Sequence, residues 1–303
     1  MAVMQTGHFS KLLWPGINAV YGATYAEHTP EYTDIYSFNR SDKAYEEDVG
    51  TTGFGLAPIK PEGAGISYDS QEQGYTHRYT NVTYGLGFII TLELYEDKQY
   101  ALPMINRASA LAFSMRQTKE TVAANVLNRA FSSSYVGPDG VELCSTLHVN
   151  KSGGTWANEL ATAADLSEAS LEQACTDIGG FTNDRGLKIN VMPMALILPT
   201  ALEFEAYRIL KSILQNDTAN NAINAIRAMN KFPDGVKVNH YLTDSDAWFI
   251  KTNCPNGMKY FERRPDTFKN DSDFDTENAK FKATGRYSFG CTDRRGLFAS
   301  PGA

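Results

Sequence analysis

Cysteine is scarce and scattered. Cys144, Cys175, Cys254 and Cys291 form no CxxC pair, so a zinc ribbon or a redox dithiol is excluded and free thiols are expected. The five histidines, His8, His28, His77, His148 and His240, are also widely spaced. No HxH or HExxH occurs, which removes the usual zinc constellations. Gly53-Phe54-Gly55 and Gly85-Leu86-Gly87 are never completed as GxGxxG, and neither GKS, GKT nor the GxSxG elbow is present. Asp271, Asp273, Asp275 and Glu277 are spaced like a calcium loop. Thr276 stands where that loop needs glycine and Lys282 where it needs the bidentate glutamate. A solvated acidic turn is the expectation there. Catalytic residues, a metal and a cofactor are therefore not assigned.

Long apolar runs are missing too. The most apolar stretches, residues 87–94 and 191–202, are too short to span a bilayer. The first residues show no basic stretch followed by an apolar one, so no secretory signal is read. The chain reads as soluble, made in a cytoplasm and without a membrane partner. Positive charge is also short: 28 Lys and Arg face 35 Asp and Glu, a net charge of -7. A dedicated nucleic-acid binder would carry the opposite balance. A container whose inner wall meets nucleic acid weakly is still compatible with it.

What remains is a chain of 303 residues, 42% hydrophobic and 12% aromatic, enough to build one large or two closely joined domains. Residues 1–45 look irregular, with Pro15, Gly16, Gly22 and Pro30 among scattered aromatics, and read as an extended arm. Residues 48–73 are rich in glycine and proline. A stretch that long without its own core is functional or mobile. Strand-like runs at 75–84 and 88–92 follow, and together they predict a long two-stranded loop leaving the body. Its aromatics either meet a partner or fold back onto their own domain.

The clearest helix spans residues 104–131. Met104, Ala108, Leu111, Met115, Thr118, Val122, Val126 and Ala130 make one stripe, and Pro103 sits where a helix start tolerates it. Arg107, Arg116, Lys119 and Arg129 outweigh Glu120 on this helix. The bland reading is a solvated face; the sharper one is a basic side turned to nucleic acid. A second helix, 166–178, is capped by Asp165. The run 191–198 reads as a strand, with Pro193 at an edge or a bulge. Helices at 200–214, with Leu202, Ala206, Ile209, Leu210 and Ile213 inward, and at 220–229 come next. Strands at 236–242, 247–251, 258–263 and 279–289 close the chain. Without βαβ alternation the class is α+β.

Five stretches, in order, resemble the major capsid proteins of tailed bacteriophages, including the Mu-like head subunit group. They are Ala112-Phe113-Ser114-Met115-Arg116 through Phe131; Ser145-Thr146-Leu147-His148 with Gly153-Gly154 and Asp165-Leu166-Ser167; Leu196-Ile197-Leu198-Pro199-Thr200; Tyr241-Leu242-Thr243-Asp244 with Ala247-Trp248-Phe249; and Arg286-Tyr287-Ser288-Phe289-Gly290 with Asp293-Arg294-Arg295-Gly296. The resemblance spans roughly residues 85–300, and its specificity lies in the order of the motifs.

It implies the Hong Kong 97 capsid fold: an N-terminal arm (1–45), an extended β-hairpin loop (46–85), a peripheral domain (86–182) with the spine helix 104–131, an axial domain (183–252), and peripheral C-terminal strands (253–303). It implies self-assembly into pentamers and hexamers of an icosahedral head around double-stranded DNA, located in the virion. Implied partners are a separate scaffolding protein, a portal and a decoration protein. Inter-subunit contacts are expected at Trp14, Tyr21, Phe54, Ile59, Lys60, Tyr68 and Tyr79, and lumen-facing charge at Arg107, Arg116, Lys119 and Arg129. An encapsulin-like compartment shell and, more remotely, an Asp/Glu-dependent hydrolase are the alternatives.

Overall fold

Helices and strands mix without βαβ alternation, as expected of an α+β chain. The computed structural model describes residues 19–27, 29–91, 93, 101–214, 222–273 and 276–303. Helix α1 (residues 19–26) leads through α2 (Tyr32–Ile35) to β1 (Ser37–Arg40). A hairpin of β2 (Tyr45–Thr51) and β3 (Gln73–Thr80) follows, then β4 (Val82–Ile90) and the long helix α3 (Ala101–Asn128). Beyond it come β5 (His148–Val149), β6 (Thr155–Trp156), α4 (Glu168–Gly179), β7 (Pro193–Leu198), α5 (Glu203–Lys211) and α6 (Ala225–Ala228). The strands β8 (Gly235–Val238), β9 (Trp248–Thr252), β10 (Met258–Ser272), β11 (Ala279–Cys291) and β12 (Leu297–Ser300) complete the chain.

Two four-stranded sheets carry the body. The first has the order β1-β10-β11-β4, the second β12-β9-β7-β8. In the first, β10 and β11 form a long antiparallel ladder and β4 extends it. Pro265 sits inside β10, where it has no N–H to give a partner. The strand accommodates it with register shifts at Glu262/Arg264 and Arg264/Thr267, and β1 covers only Lys259–Glu262, so the proline lies beyond the paired edge. Helix α3 lies on this sheet, with Ala108, Leu111, Ala112 and Met115 against Phe268, Phe281 and Ala283.

The second sheet is buried on both sides. Leu196, Leu198, Trp248, Ile250 and Phe298 face α4, α5 and α6, where Leu171, Ile178, Ala206, Ile209 and Ile226 meet them. Ile197, Phe249, Leu297 and Ala299 face the opposite way, toward Leu127, Tyr260 and Tyr287. Double-sided burial explains why Pro193–Leu198 reads as an unbroken apolar run. Pro193 is the first residue of β7 and precedes a register shift, so a proline is tolerated in a central strand.

Several boundaries differ from expectation. The long helix runs over 101–128 and not 104–131; residues 129–131 form turns. Its buried face rotates from Ala108 and Met115 toward Lys119, Ala123 and Leu127, leaving Thr118, Val122 and Val126 half-buried. Helix α4 is capped by Ser167, whose hydroxyl accepts from Ser170 N–H in a reciprocal capping box, and not by Asp165. Helix α5 stops at Lys211, and Ile213, expected on its inner face, is 70% exposed. Within residues 1–45, expected to be irregular, the described part contains α1, α2 and β1, and β1 lies parallel on β10. All four cysteines are free thiols.

Candidate assembly interface

The β2–β3 hairpin divides into a fixed root and an uncovered tip. At the root, Tyr79 is buried: its ring lies 4.7 Å from that of Phe261, and its hydroxyl is 2.7 Å from Thr292 Oγ1. Burial pushes this phenol well above its ordinary range, so it stays neutral. Asp48 Oδ2 accepts from Lys259 Nζ at 2.6 Å and from Thr292 Oγ1 at 2.8 Å. Burial opposes the charge of Asp48, yet these two bonds hold its carboxyl below the usual range. His77 stacks edge-on against Tyr79 at 4.6 Å. Burial and the nearby Arg294 push the imidazole down to about 4, against the pull of Asp48.

Between Thr52 and Glu72 the chain leaves the ladder. Thr52 N–H donates to Glu72 O, and Glu72 N–H to Thr52 Oγ1. Past that pair Phe54, Leu56, Ile59, Ile66 and Tyr68 are exposed, Ile59 to 95% and Tyr68 to 92%. Lys60 is exposed among them. Asp69 organises the tip by accepting N–H bonds from Gly55 and Ser70, both at 2.8 Å. Apolar side chains left this bare cost free energy in water and mark a surface for contact.

The expected contact residues therefore separate. Phe54, Ile59, Lys60 and Tyr68 are presented outward. Tyr79 and Tyr21 are not: both turn into their own chain, Tyr21 stacking on Phe268 at 4.7 Å. Alternation explains Tyr79, because its side of β3 faces the first sheet. Trp14 lies outside the described residues.

The four basic residues of α3 separate as well. Arg107 and Arg129 are exposed, Arg129 lying over the Tyr135 ring at 4.4 Å. Arg116 and Lys119 are buried, which removes them from any lumen-facing surface. Arg116 donates to Tyr25 O at 3.0 Å. Lys119 Nζ donates to Glu262 Oε1 at 3.0 Å, lies 3.8 Å from Asp266 Oδ2, and sits beside the rings of Tyr32, Tyr260 and Tyr287. Burial alone would lower its pKa; Tyr32, Asp266 and Glu262 reverse that and raise it. Glu120 accepts the N–H groups of Glu31 and Tyr32. These contacts fasten Tyr25, Glu31 and Tyr32 across α3.

Two features escaped the sequence. On and around α5 and α6 the chain exposes Phe204, Tyr207, Ile213, Ile223 and Met229, each at 64% or more. Glu203 and Glu205 beside Phe204 and Tyr207 hint at an amphipathic helix with an apolar outer patch. The other is a buried polar knot. His148 Nδ1 lies 2.8 Å from Asp139 Oδ2, and its Nε2 2.9 Å from Asn158 Oδ1. Arg294 pairs with the same Asp139, and Arg295 bridges Thr182 O, Asn150 and Asp184. His148 is 0% exposed, and the knot ties residues 139–158 and 182–184 to Arg294 and Arg295. Among the described residues no group of three His, Cys, Asp or Glu side chains is arranged to hold a metal ion.

Residues 74–300 match the family described as phage capsid protein. Among curated proteins none matches the chain. In solved structures the chain is similar to the mature capsid of bacteriophage PhiM1, at 10% identity and a TM-score of 0.58, covering 90% of this chain and 87% of that one. The capsid of a native GTA particle is similar at 11% identity and a TM-score of 0.55, covering 90% of both chains. A virus-like particle from Pyrococcus furiosus is similar at 10% identity and a TM-score of 0.51, covering 94% of this chain and 97% of that one. With the Hong Kong 97 capsid fold and three quarters of its length matched, the chain belongs to the phage capsid protein family and is a structural capsid subunit.

Proposed function

We propose that this subunit self-assembles into pentamers and hexamers of an icosahedral phage head that encloses double-stranded DNA. The observation that carries this is the hairpin with a clamped root and a bare apolar tip. Phe54, Leu56, Ile59, Ile66 and Tyr68 are exposed among the described residues, and a neighbouring copy of the same chain is the occupant that closed symmetry supplies. In this reading α3 and the first sheet form the peripheral domain. Residues 183–252 with the second sheet form the axial domain, whose exposed Phe204, Tyr207 and Ile213 turn to the ring axis. Phe54, Ile59, Lys60 and Tyr68 are the inter-subunit contacts, with Trp14 assigned to the same role from sequence. Arg107 and Arg129 supply a weak, non-specific contact to DNA. A separate scaffolding protein, a portal and a decoration protein are the expected partners in the virion. Binding energy spread over many contacts does the work, so no catalytic residue is assigned.

A compartment shell enclosing enzymes shares the fold; the phage capsid family match weighs against it. Deleting residues 53–65 tests the proposal. The deleted subunit should keep its fold and its melting transition but fail to form stable shells. Normal, stable particles from it would remove the loop from the interface.

A further inference from the structure

The root and the tip of the hairpin meet at a pair of glycines. Val49 pairs with Thr76 and Thr51 with Gln73, so the ladder slips by one residue between them. At that slip Gly50 and Gly74 lie backbone to backbone. A Cβ on Gly74 would come within 3.0 Å of the Gly50 carbonyl carbon, and one on Gly50 within 3.4 Å of Tyr75 O. A bulge flanked by residues without side chains is where a ladder bends most easily. On the body side of this point the hairpin is held by Asp48 on Lys259 and Thr292 and by buried Tyr79. On the far side one contact to the rest of the chain stands out. Arg185 Nη2 donates to Asp69 Oδ1 at 3.3 Å and to Ser70 O. Its turn is preformed, because Asn183 Oδ1 accepts the N–H groups of both Arg185 and Leu187 at 2.9 Å.

We infer that the loop is a lever with a clamped root, a pivot at Gly50 and Gly74, and a tip that Arg185 parks against its own subunit. The parking contact is weak by construction. Arg185 and Asp69 keep 27% and 43% of their side-chain surface in water, and an exposed pair of this kind shifts an equilibrium only about two- to fivefold. Parking also leaves the apolar tip residues uncovered, so a better-fitting surface displaces it at little cost. A fixed root with a free tip lets one sequence reach neighbours at more than one angle. That last consequence rests on the assembly reading; the pivot and the parking contact do not.

Chymotrypsin digestion of the unassembled subunit tests the lever, because Phe54 and Tyr68 lie in the tip and Tyr75 and Tyr79 in the root. In Arg185→Ala, cleavage at Phe54 and Tyr68 should accelerate about two- to fivefold, while Tyr75 and Tyr79 stay as protected as in the wild type. Adding Gly74→Ala should slow tip cleavage again, since its Cβ crowds the partner strand. Gly74→Ala at an unchanged melting temperature is the control that the hairpin still forms. Equal tip cleavage in wild type and Arg185→Ala overturns the parking contact. Tip and root cleaved in parallel overturns the pivot.

Discussion

Replacing His77 with Gln tests whether the hairpin root is buried against the body as described. The imidazole has its pKa lowered from 6.5 to about 4, first by burial and then by Arg294. Above pH 6.5 neither the folded nor the unfolded chain protonates this residue, and it contributes no pH dependence. Below 6.5 the unfolded chain takes up a proton that the folded root refuses, so stability falls as pH drops toward 4. The full difference corresponds to about 3 kcal/mol, and partial solvent access trims it to about 2 kcal/mol. Asp48 and Asp139, whose carboxyls are held low, lose stability at still lower pH. Glu120 and Glu159 are raised and act in the opposite sense. Asp139, Glu120 and Glu159 have no His77 contribution to their shifts and cancel in the difference between wild type and His77→Gln; Asp48 is coupled to His77 and its own loss falls at the acid end of the series. Urea unfolding of dilute, unassembled subunit, from neutral down to about pH 4.5, gives that difference directly. The wild type should lose its advantage over His77→Gln steadily along the series. Parallel curves for the two proteins would refute the buried, clamped root.

Three further outcomes follow from the packing. Lys119→Met leaves Glu262 and Asp266 facing each other without their cation, at a cost of about 3–5 kcal/mol; thermal melting reads it, and adding Glu262→Gln should recover part of the loss. Trp248 is fully buried, with its indole N–H donating to Ala164 O at 3.0 Å, so Trp248→Phe should cost about 1 kcal/mol for the lost bond and Trp248→Ala about 3–5 kcal/mol. Reversing both exposed helix charges, Arg107→Glu with Arg129→Glu, should leave the melting temperature unchanged while weakening binding of DNA to empty shells at low salt; an unfolded double variant would contradict their exposure.

Patterns carried by neighbours in the chain were legible in the sequence. The long helix and the strand at Pro193–Leu198 rest on local periodicity, and the loop on its glycine and proline; the loop's pairing is a correction, because β3 pairs with β2, where the sequence reading has no strand, and the run at 88–92 belongs to β4 on β11. Contacts between distant segments were not. Lys119 and Arg116 read as basic helix surface because their partners, Glu262 and Asp266 in one case and Tyr25 in the other, lie 91 to 147 residues away. Residues 19–40 read as an arm because α1 and α2 are short, and β1 gains its ladder only by lying parallel on β10. Within the candidate interface the tip was legible from its glycines and bare apolar residues. Tyr79 and Tyr21 were misplaced, because an aromatic in a mixed pattern does not say which side of the strand or helix is covered. The exposure of Phe204 and Tyr207 leaves only a faint trace in the sequence, where Ile213 reads as part of the inner face of the same helix.

The most direct test of the account is electron microscopy of the purified chain, alone and with a co-expressed scaffolding candidate, beside sizing chromatography. The account predicts rings of five or six subunits, tubes or icosahedral shells. A stable monomer under every condition, with the loop tip intact, would contradict it.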